Sequence, residues 1–145
     1  MKFVADHMLG RLAGWLRLLG FDVLYPKNLR DDELIKIANE QNRILLTRDR
    51  KITGKNVFLV RSVFIDRQLE QTVKELKLKI EDEFSRCSIC NTEIVEVPKE
   101  QVKDIVPERI YKEQALLWKC PTCNRVYWQG SHWKKISKKI EELRI

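Results

Sequence analysis

The chain has 145 residues and a formal net charge of +7 at pH 7, with 43% hydrophobic and 34% charged residues. The length excludes a large multidomain enzyme, and the composition excludes collagen-like and low-complexity chains. No apolar run reaches the ~18–20 residues of a membrane span, and the early charge of Asp6 argues against a secretory signal. We therefore expect a soluble, cytoplasmic protein.

The excess of positive charge lies in the first part of the chain. Residues 1–80 carry 16 Lys or Arg against 10 Asp or Glu, whereas residues 81–145 carry 12 against 11. An excess of positive charge favours a polyanionic partner such as nucleic acid, and a basic surface can also serve solubility alone. Charge by itself leaves both interpretations open.

The first 80 residues alternate between strand and helix patterns. Gly20 follows a leucine-rich run and is a typical helix terminator, and the acidic residues at 31–33 suit the start of a helix. The predicted strands are residues 2–5, 22–25, 43–47 and 57–60, and the predicted helices are residues 8–19, 31–42 and 67–78. This alternation predicts an α/β fold with a mainly parallel sheet, right-handed crossovers and flanking helices.

From residue 81 the composition changes, and two Cys-x-x-Cys pairs follow. The four residues are Cys87, Cys90, Cys120 and Cys123. Two such turns complete a tetrahedral sulfur shell around Zn²⁺ at ~2.3 Å, with rubredoxin-like iron as the alternative. We therefore predict two domains, residues 1–80 and a zinc ribbon with a C-terminal helix at 81–145. Chelation is expected to unfold the second domain and leave much of the first intact.

The predicted ribbon carries an insert between its cysteine pairs. We expect an alternating stretch at 92–97, a short helix near 100–105, an apolar segment at 115–118 and a last strand at 126–129. A final helix beginning at Ser131 has one apolar face, formed by Trp133, Ile136, Ile140 and Leu143. His132 is expected to be structural, because four cysteines already fill the zinc shell.

Acidic residues follow the predicted strands of the parallel sheet. Asp6 follows the first strand, Asp31 and Asp32 lie between the second strand and its helix, and Asp49 follows the third strand. Ligands bind at the carboxyl ends of such strands, and clustered carboxylates suit Mg²⁺ or Mn²⁺. Such a metal could activate water for attack on a phosphodiester. Each acid alone has a structural alternative, namely helix capping, a helix-dipole contact or turn initiation.

Basic residues near the same edge are candidates for phosphate binding. Arg11, Arg17 and Arg48 lie in segments that begin or end beside the acidic positions. The final helix supplies secondary candidates for RNA binding, which are Lys134, Lys135, Lys138 and Lys139. Ordinary solvated surface is the alternative for all of these residues.

Long ordered strings over nearly the whole chain are similar to one family. They are residues 3–6 (FVAD), 8–13 (MLGRLA), 15–20 (WLRLLG), 31–34 (DDEL), 45–49 (LLTRD), 86–91 (RCSICN), 120–123 (CPTC) and 127–133 (YWQGSHW). The chain resembles the RNase domain found at the C-terminus of Mut-7-type exonucleases and in stand-alone prokaryotic proteins. The resemblance implies a PIN-like nuclease fold joined to a zinc ribbon.

The resemblance also implies an activity and a set of site residues. The activity is that of a Mg²⁺- or Mn²⁺-dependent endoribonuclease, a hydrolase whose partner is RNA. Asp6, Asp31 and Asp49 match the acidic positions that would hold the catalytic metal, and Asp32 and Asp66 are candidates for an additional acid. A nonenzymatic RNA-binding adaptor is the alternative function, and a protein-interaction module is a third.

Overall fold

The first part of the chain forms a four-stranded parallel sheet. A computed structural model describes residues 1–143. The strands are β1 (Lys2–Ala5), β2 (Asp22–Leu24), β3 (Ile44–Thr47) and β4 (Val57–Leu59), in the order β2-β1-β3-β4. The flanking helices are α1 (Gly10–Leu18), α2 (Asp31–Glu40) and α3 (Ile65–Glu75). Every neighbouring pair of strands is parallel, so the predicted α/β fold is confirmed.

Alternating side chains on the central strands bury both faces of the sheet. On β1, Phe3 and Ala5 join one hydrophobic cluster and Val4 joins the other. On β3, Leu46 belongs to the cluster of Phe3 and Leu45 belongs to the cluster of Val4. The Val4 face packs against α2, and the opposite face packs against α1 and α3. Because both faces are covered, three consecutive residues of each of these strands are apolar, as is usual for parallel sheets.

Helix α1 begins later than predicted and ends where predicted. The segment predicted as one helix starts with a 3-10 turn, His7–Leu9, before α1. Gly20 ends the helix with a φ of +101°, and a Cβ there would lie 2.6 Å from the carbonyl oxygen of Asp82. Only glycine fits this position without strain, because the left-handed conformation and the close approach both exclude a side chain.

The second part of the chain contains a three-stranded antiparallel sheet with an insert. Its strands are β5 (Val95–Val97), β6 (Leu117–Lys119) and β7 (Val126–Tyr127), in the order β5-β6-β7. The helix predicted near 100–105 is a 3-10 turn, Lys99–Val102, and a helix α4 (Glu108–Glu113) was not predicted. Ile110 is the buried residue of α4, and six residues are too few to show a helical period.

The C-terminal helix α5 (Ser131–Leu143) joins the two parts of the chain. Trp133, Ile136 and Ile140 are buried, as predicted, in the same hydrophobic cluster as Phe3 of β1. The ring of Trp133 contacts that of Phe84 edge to face, with centroids 4.9 Å apart. The two predicted domains therefore share one core, and the boundary at residue 80 stays a prediction. Within residues 1–143 no helix is long and apolar enough to cross a membrane.

Candidate active site and metal centre

Four cysteines converge to form a candidate metal centre. The Sγ atoms of Cys87, Cys90, Cys120 and Cys123 all lie within 4.8 Å of one another. The Sγ atoms of Cys87 and Cys123 are 3.7 Å apart, and a tetrahedral Zn²⁺ site with ~2.3 Å bonds separates sulfurs by roughly 3.8 Å. The donor set and its spacing fit a structural zinc ion, so the cluster fits the predicted zinc ribbon.

Both cysteine turns end on an asparagine in the left-handed conformation. Asn91 and Asn124 have φ values of +66° and +65°. Their backbone N–H groups donate to the carbonyl oxygens of Cys87 and Cys120, each at 2.9 Å. Asparagine tolerates this conformation better than most residues. The pattern Cys-x-x-Cys-Asn is visible twice in the sequence, and our sequence reasoning did not use it.

The cysteine cluster favours one thiolate and disfavours a second. Burial opposes ionisation of Cys87, but hydrogen bonds from the Tyr127 hydroxyl and the backbone of Cys90 lower its pKa to about 7. Partial burial raises the pKa of Cys90 to about 12, together with the hydrogen bond to Cys123 and the negative charge of Cys87. Crowded thiolates repel one another, and a divalent cation removes that repulsion. This chemistry supports the assignment of a cation site.

Arg17 connects helix α1 to the first cysteine turn. Its Nε and Nη2 donate to the carbonyl oxygen of Val23 at 2.9 and 2.7 Å. Its Nη1 donates to the carbonyl oxygens of Ser88 and Ile89 at 2.9 and 3.1 Å. The residue is 7% exposed, and burial lowers the pKa of its guanidinium. Arg17 therefore has a structural role, in contrast to the phosphate-binding role predicted from its proximity in sequence to Asp6.

A second connection joins the first cysteine turn to the edge strand β2. The Asn91 side chain donates to Asp22 Oδ1 at 2.8 Å and accepts the N–H of Val23 at 3.1 Å. Arg43 Nη1 donates to the same Asp22 oxygen at 2.9 Å. Burial opposes the ionised form of Asp22, but the hydrogen bonds from Arg43 and Asn91 lower its pKa. The ribbon therefore covers the open edge of the parallel sheet.

Replacing Arg17 by Leu is expected to destabilise the zinc-loaded protein by about 2–4 kcal/mol. The substitution leaves three buried or partly buried carbonyl oxygens without their donor, and each such loss is costly. Urea unfolding of both variants measures the effect, with Arg11→Leu as the control because Arg11 is exposed on the same helix. Equal unfolding free energies for the two variants would contradict the structural role of Arg17.

The carboxyl ends of β1 and β3 form the candidate active site. These two strands are adjacent, and the chain leaves them in opposite directions, β1 toward β2 and β3 toward β4. Such a switch point is where open α/β sheets bind ligands. Asp6 directly follows β1 and is 3% exposed. Its Oδ2 accepts a hydrogen bond from the Thr47 hydroxyl at 2.9 Å, and its Oδ1 lies 2.7 Å from His7 Nδ1.

Asp49 reaches the same edge through Thr47. Its backbone N–H donates to Thr47 Oγ1 at 3.0 Å, so one hydroxyl links Asp49 to Asp6. The Asp49 carboxylate accepts the N–H of Lys51 at 2.9 Å. This contact is the turn-initiating contact considered as the structural alternative for Asp49. Thr47 was not singled out from the sequence, although it ends a predicted strand two residues before Asp49.

The other predicted acids lie at helix starts and are more exposed. Asp31 is the first residue of α2, and Arg30 is its N-cap. Asp32 accepts a hydrogen bond from Arg30 Nε at 3.2 Å, which lowers the pKa of its carboxyl group. Glu33 accepts the N–H of Arg30 at 3.2 Å. Asp66 lies in the first turn of α3.

The three predicted catalytic carboxylates do not form one metal site in this structure. Within residues 1–143, the cysteine cluster is the only group of three or more His, Cys, Asp or Glu side chains whose ligand atoms lie within 4.8 Å of one another. Asp6, Asp31 and Asp49 therefore do not fit the joint coordination of a single Mg²⁺ or Mn²⁺ ion. Both oxygens of Asp6 instead contact protein groups.

The remaining basic candidates have different surroundings. Arg48 is half-buried, and its Nε is a buried donor with no hydrogen-bond partner among the described residues. Arg11 is exposed on the first turn of α1. On α5, Lys134, Lys135 and Lys138 are exposed, and Lys139 lies 3.7 Å from Glu70. Arg48 is therefore the basic residue that most clearly lacks an acceptor.

A family comparison covers both the sheet and the cysteine centre. The family model for the Mut7-C RNAse domain matches residues 1–140. The chain belongs to the Mut7-C RNAse domain family. The matched range includes Asp6, Asp49 and all four cysteines, so the Mut7-C match spans both candidate sites. A search of curated proteins found no match to the chain.

Membership of the Mut7-C family agrees with the resemblance found in the sequence strings. It indicates a nuclease-type hydrolase and implies RNA as the substrate. The parallel sheet, the flanking helices and the C-terminal cysteine cluster are the architecture expected from that resemblance. Fold and family leave open which residues act on the substrate, because one fold supports many activities.

Proposed function

We propose that this Mut7-C protein is an endoribonuclease that hydrolyses RNA at the carboxyl edge of its parallel sheet. The observation that carries the proposal is Asp6, a buried carboxylate at the switch point between β1 and β3. Burial of an acid is costly unless it is bonded, and Thr47 and His7 supply the partners. A carboxylate fixed in this way, beside an open cleft, is a candidate catalytic group.

A cleft beside Asp6 gives RNA access to this edge. It has a volume of about 420 Å³ and is lined by Asp6, His7, Tyr25, Lys27 and Asn28 among others. Tyr25 closes one side by donating from its hydroxyl to the carbonyl oxygen of His7 at 2.5 Å. The ammonium of Lys27 supplies positive charge for a phosphate. The cleft therefore combines an acid, a cation and neutral polar groups beside one strand end.

Arg48 supports the proposal as a phosphate-binding residue. Its unpartnered Nε makes the folded chain less stable, because a buried donor without an acceptor has lost its hydration. Phosphate oxygens are strong acceptors, and the guanidinium fork matches their geometry. Arg48 also directly follows Thr47, which contacts Asp6. Because Arg48 follows the last residue of β3, a phosphate bound by Arg48 would lie at the carboxyl edge of the sheet.

The requirement for Mg²⁺ or Mn²⁺ stays a prediction, as does the cytoplasmic location. The test uses circular single-stranded RNA, which has no ends and is opened only by internal cleavage. We expect the zinc-loaded protein to linearise it, with rates compared in divalent-free buffer and after addition of each ion. Binding of the same RNA without cleavage in any of these buffers would favour the nonenzymatic adaptor.

Asp31 is retained in the proposal because α2 begins at the same edge of the sheet. Its replacement by Asn should reduce cleavage at least ~10-fold, since the amide keeps size and polarity but carries no charge. The unfolding free energy should fall by at most about 1 kcal/mol, because an exposed first-turn acid contributes only through the helix dipole. Cleavage rates and urea unfolding measure both effects, with Glu40→Gln, at the opposite end of α2, as the control. Full cleavage by Asp31→Asn would remove Asp31 from the site.

A further inference from the structure

A groove of about 310 Å³ lies between helix α1 and the first cysteine turn. Gly10, Arg11, Gly14 and Trp15 line it from the helix, and Ser88 and Ile89 line it from the turn. The roles proposed above for Asp6 and Arg48 do not involve this groove, although Arg11, which lines it, was predicted from the sequence to bind phosphate. The end of the groove at Gly10 lies close to the candidate active site. A single 3-10 turn, His7–Leu9, separates Asp6 from Gly10.

The groove is open and its walls are fixed. A Cβ at Gly14 would lie 3.4 Å from Ser88 Cβ, so the glycine lets the cysteine turn pack closely against α1, and a larger side chain here would fill part of the groove. Arg17 holds the opposite wall through its hydrogen bonds to the carbonyl oxygens of Ser88 and Ile89. Preformed walls favour binding, because little conformational freedom is then lost.

An aromatic ring lines the groove in a fixed orientation. Trp15 is half-buried and stacks on Trp133, with centroids 6.4 Å apart and planes 18° apart. His132 contacts the ring of Trp15 from another side, with centroids 6.2 Å apart. Ile89, 59% exposed, adds an apolar side chain to the opposite wall. Aromatic and apolar walls suit a nucleobase, because every base has a face that can stack.

Positive charge accompanies these apolar walls. Arg11 is exposed at the groove and forms no ion pair with any residue in the range 1–143. A nucleotide that placed its base against Trp15 would have its phosphate within the field of this guanidinium. An apolar peptide would leave Arg11 without a partner, so the charge favours RNA as the occupant.

We propose that this groove binds one nucleotide of single-stranded RNA beside the cleaved bond. The base stacks against Trp15 in the groove that Gly14 and Ile89 also line, and Arg11 binds the phosphate. This inference rests on the proposed function in taking RNA as the substrate. It adds a base-binding subsite that is separate from the strand-end carboxylates.

The test measures equilibrium binding of two RNA probes to the zinc-loaded full chain in divalent-free buffer. One probe is a single-stranded RNA decamer, and the other is a decamer of the same backbone with abasic sites throughout. A gel confirms that both probes stay intact. We expect the wild type to bind the normal decamer more tightly, since one stacked base contributes about 5–100-fold in affinity.

Variants of the groove separate stacking from charge. Gly14→Leu should weaken binding of the normal decamer about 5–100-fold and leave binding of the abasic decamer unchanged. Arg11→Gln should weaken binding of both probes and reduce the slope of log affinity against log salt by ~0.7. Arg109→Gln is the control and should change both quantities less, because Arg109 is exposed on α4 and does not line the groove. Ile89→Glu should weaken binding more than Ile105→Glu, because both isoleucines are 59% exposed but only Ile89 lines the groove.

Three results would overturn the proposed subsite. The first is equal affinity of the wild type for both decamers, and the second is wild-type affinity in folded Gly14→Leu. If Gly14→Leu does not fold, the second result is replaced by an equal loss of RNA affinity in Ile89→Glu and Ile105→Glu. The third is a change of sedimentation in the groove variants at unchanged RNA affinity, which would assign the groove to a protein contact. These binding tests do not require cleavage. A protein that passes them but does not cleave RNA would therefore refute the proposed endoribonuclease activity and leave the base-binding subsite in place.

Discussion

Replacing Cys120 by Ser is expected to unfold the whole chain in one transition at a much lower temperature. Cys87 and Cys120 are fully buried and belong to the same hydrophobic cluster as Phe3 of the central strand. The first cysteine turn also supplies acceptors for Arg17. Structural zinc contributes much of the stability of small domains, so we expect a loss of about 5 kcal/mol or more.

This expectation differs from the one based on sequence, in which chelation leaves the sheet intact. Scanning calorimetry and zinc analysis of purified protein measure the effect. Thr122→Ser is the matched control, because Thr122 lies in the second cysteine turn without being a ligand. A zinc-free Cys120→Ser protein whose sheet unfolds at the wild-type temperature would contradict the coupling.

Replacing Asp6 by Asn is expected to reduce RNA cleavage about 100-fold or more with little change in stability. The amide keeps the size of the carboxylate and can still accept the hydrogen bond from Thr47. It loses the charge and the capacity to take up a proton, on which an acid–base role depends. Removing a buried charge also relieves its desolvation, which offsets the weaker contact with His7.

Asp22→Asn is the matched control for this substitution. Asp22 is also partly buried and hydrogen-bonded, but its partners Arg43 and Asn91 belong to the structural connection between sheet and ribbon. We expect Asp22→Asn to lower stability and to keep cleavage per folded molecule. The opposite pattern, stable Asp22→Asn without cleavage and active Asp6→Asn, would move the active site to the β2 edge.

Local patterns in the sequence were sufficient to predict much of the fold. The alternation of apolar runs predicted the strands and helices of residues 1–80, and Gly20 marked the end of α1. The order of these elements alone placed Asp6 and Asp49 at one edge of the sheet. The Cys-x-x-Cys spacing predicted the four-cysteine cluster. Each of these features depends on residues that are close in sequence or on a general rule of parallel sheets.

Features that depend on distant partners could not be predicted. Arg17 was predicted to bind phosphate, with ordinary surface as the alternative, but it donates to the carbonyl oxygen of Ser88, which is 71 residues away. The distances between carboxylates depend on how far each loop extends from its strand, and the spacing of acids along the chain does not encode that. Asp31 was weighed as a helix cap, whereas Arg30 takes that position. The shared core was also hidden, because Trp133 and Phe3 belong to different predicted domains.

The most direct test of the central claim is the rate at which wild-type protein and Asp6→Asn cleave the same single-stranded RNA. Both proteins are purified identically and contain one zinc ion per chain, and Asp22→Asn is measured beside them. We predict that the wild type and Asp22→Asn cleave the RNA and that folded Asp6→Asn is slower by about 100-fold or more. Equal rates for the wild type and Asp6→Asn would contradict the assignment of catalysis to the carboxyl edge of the sheet.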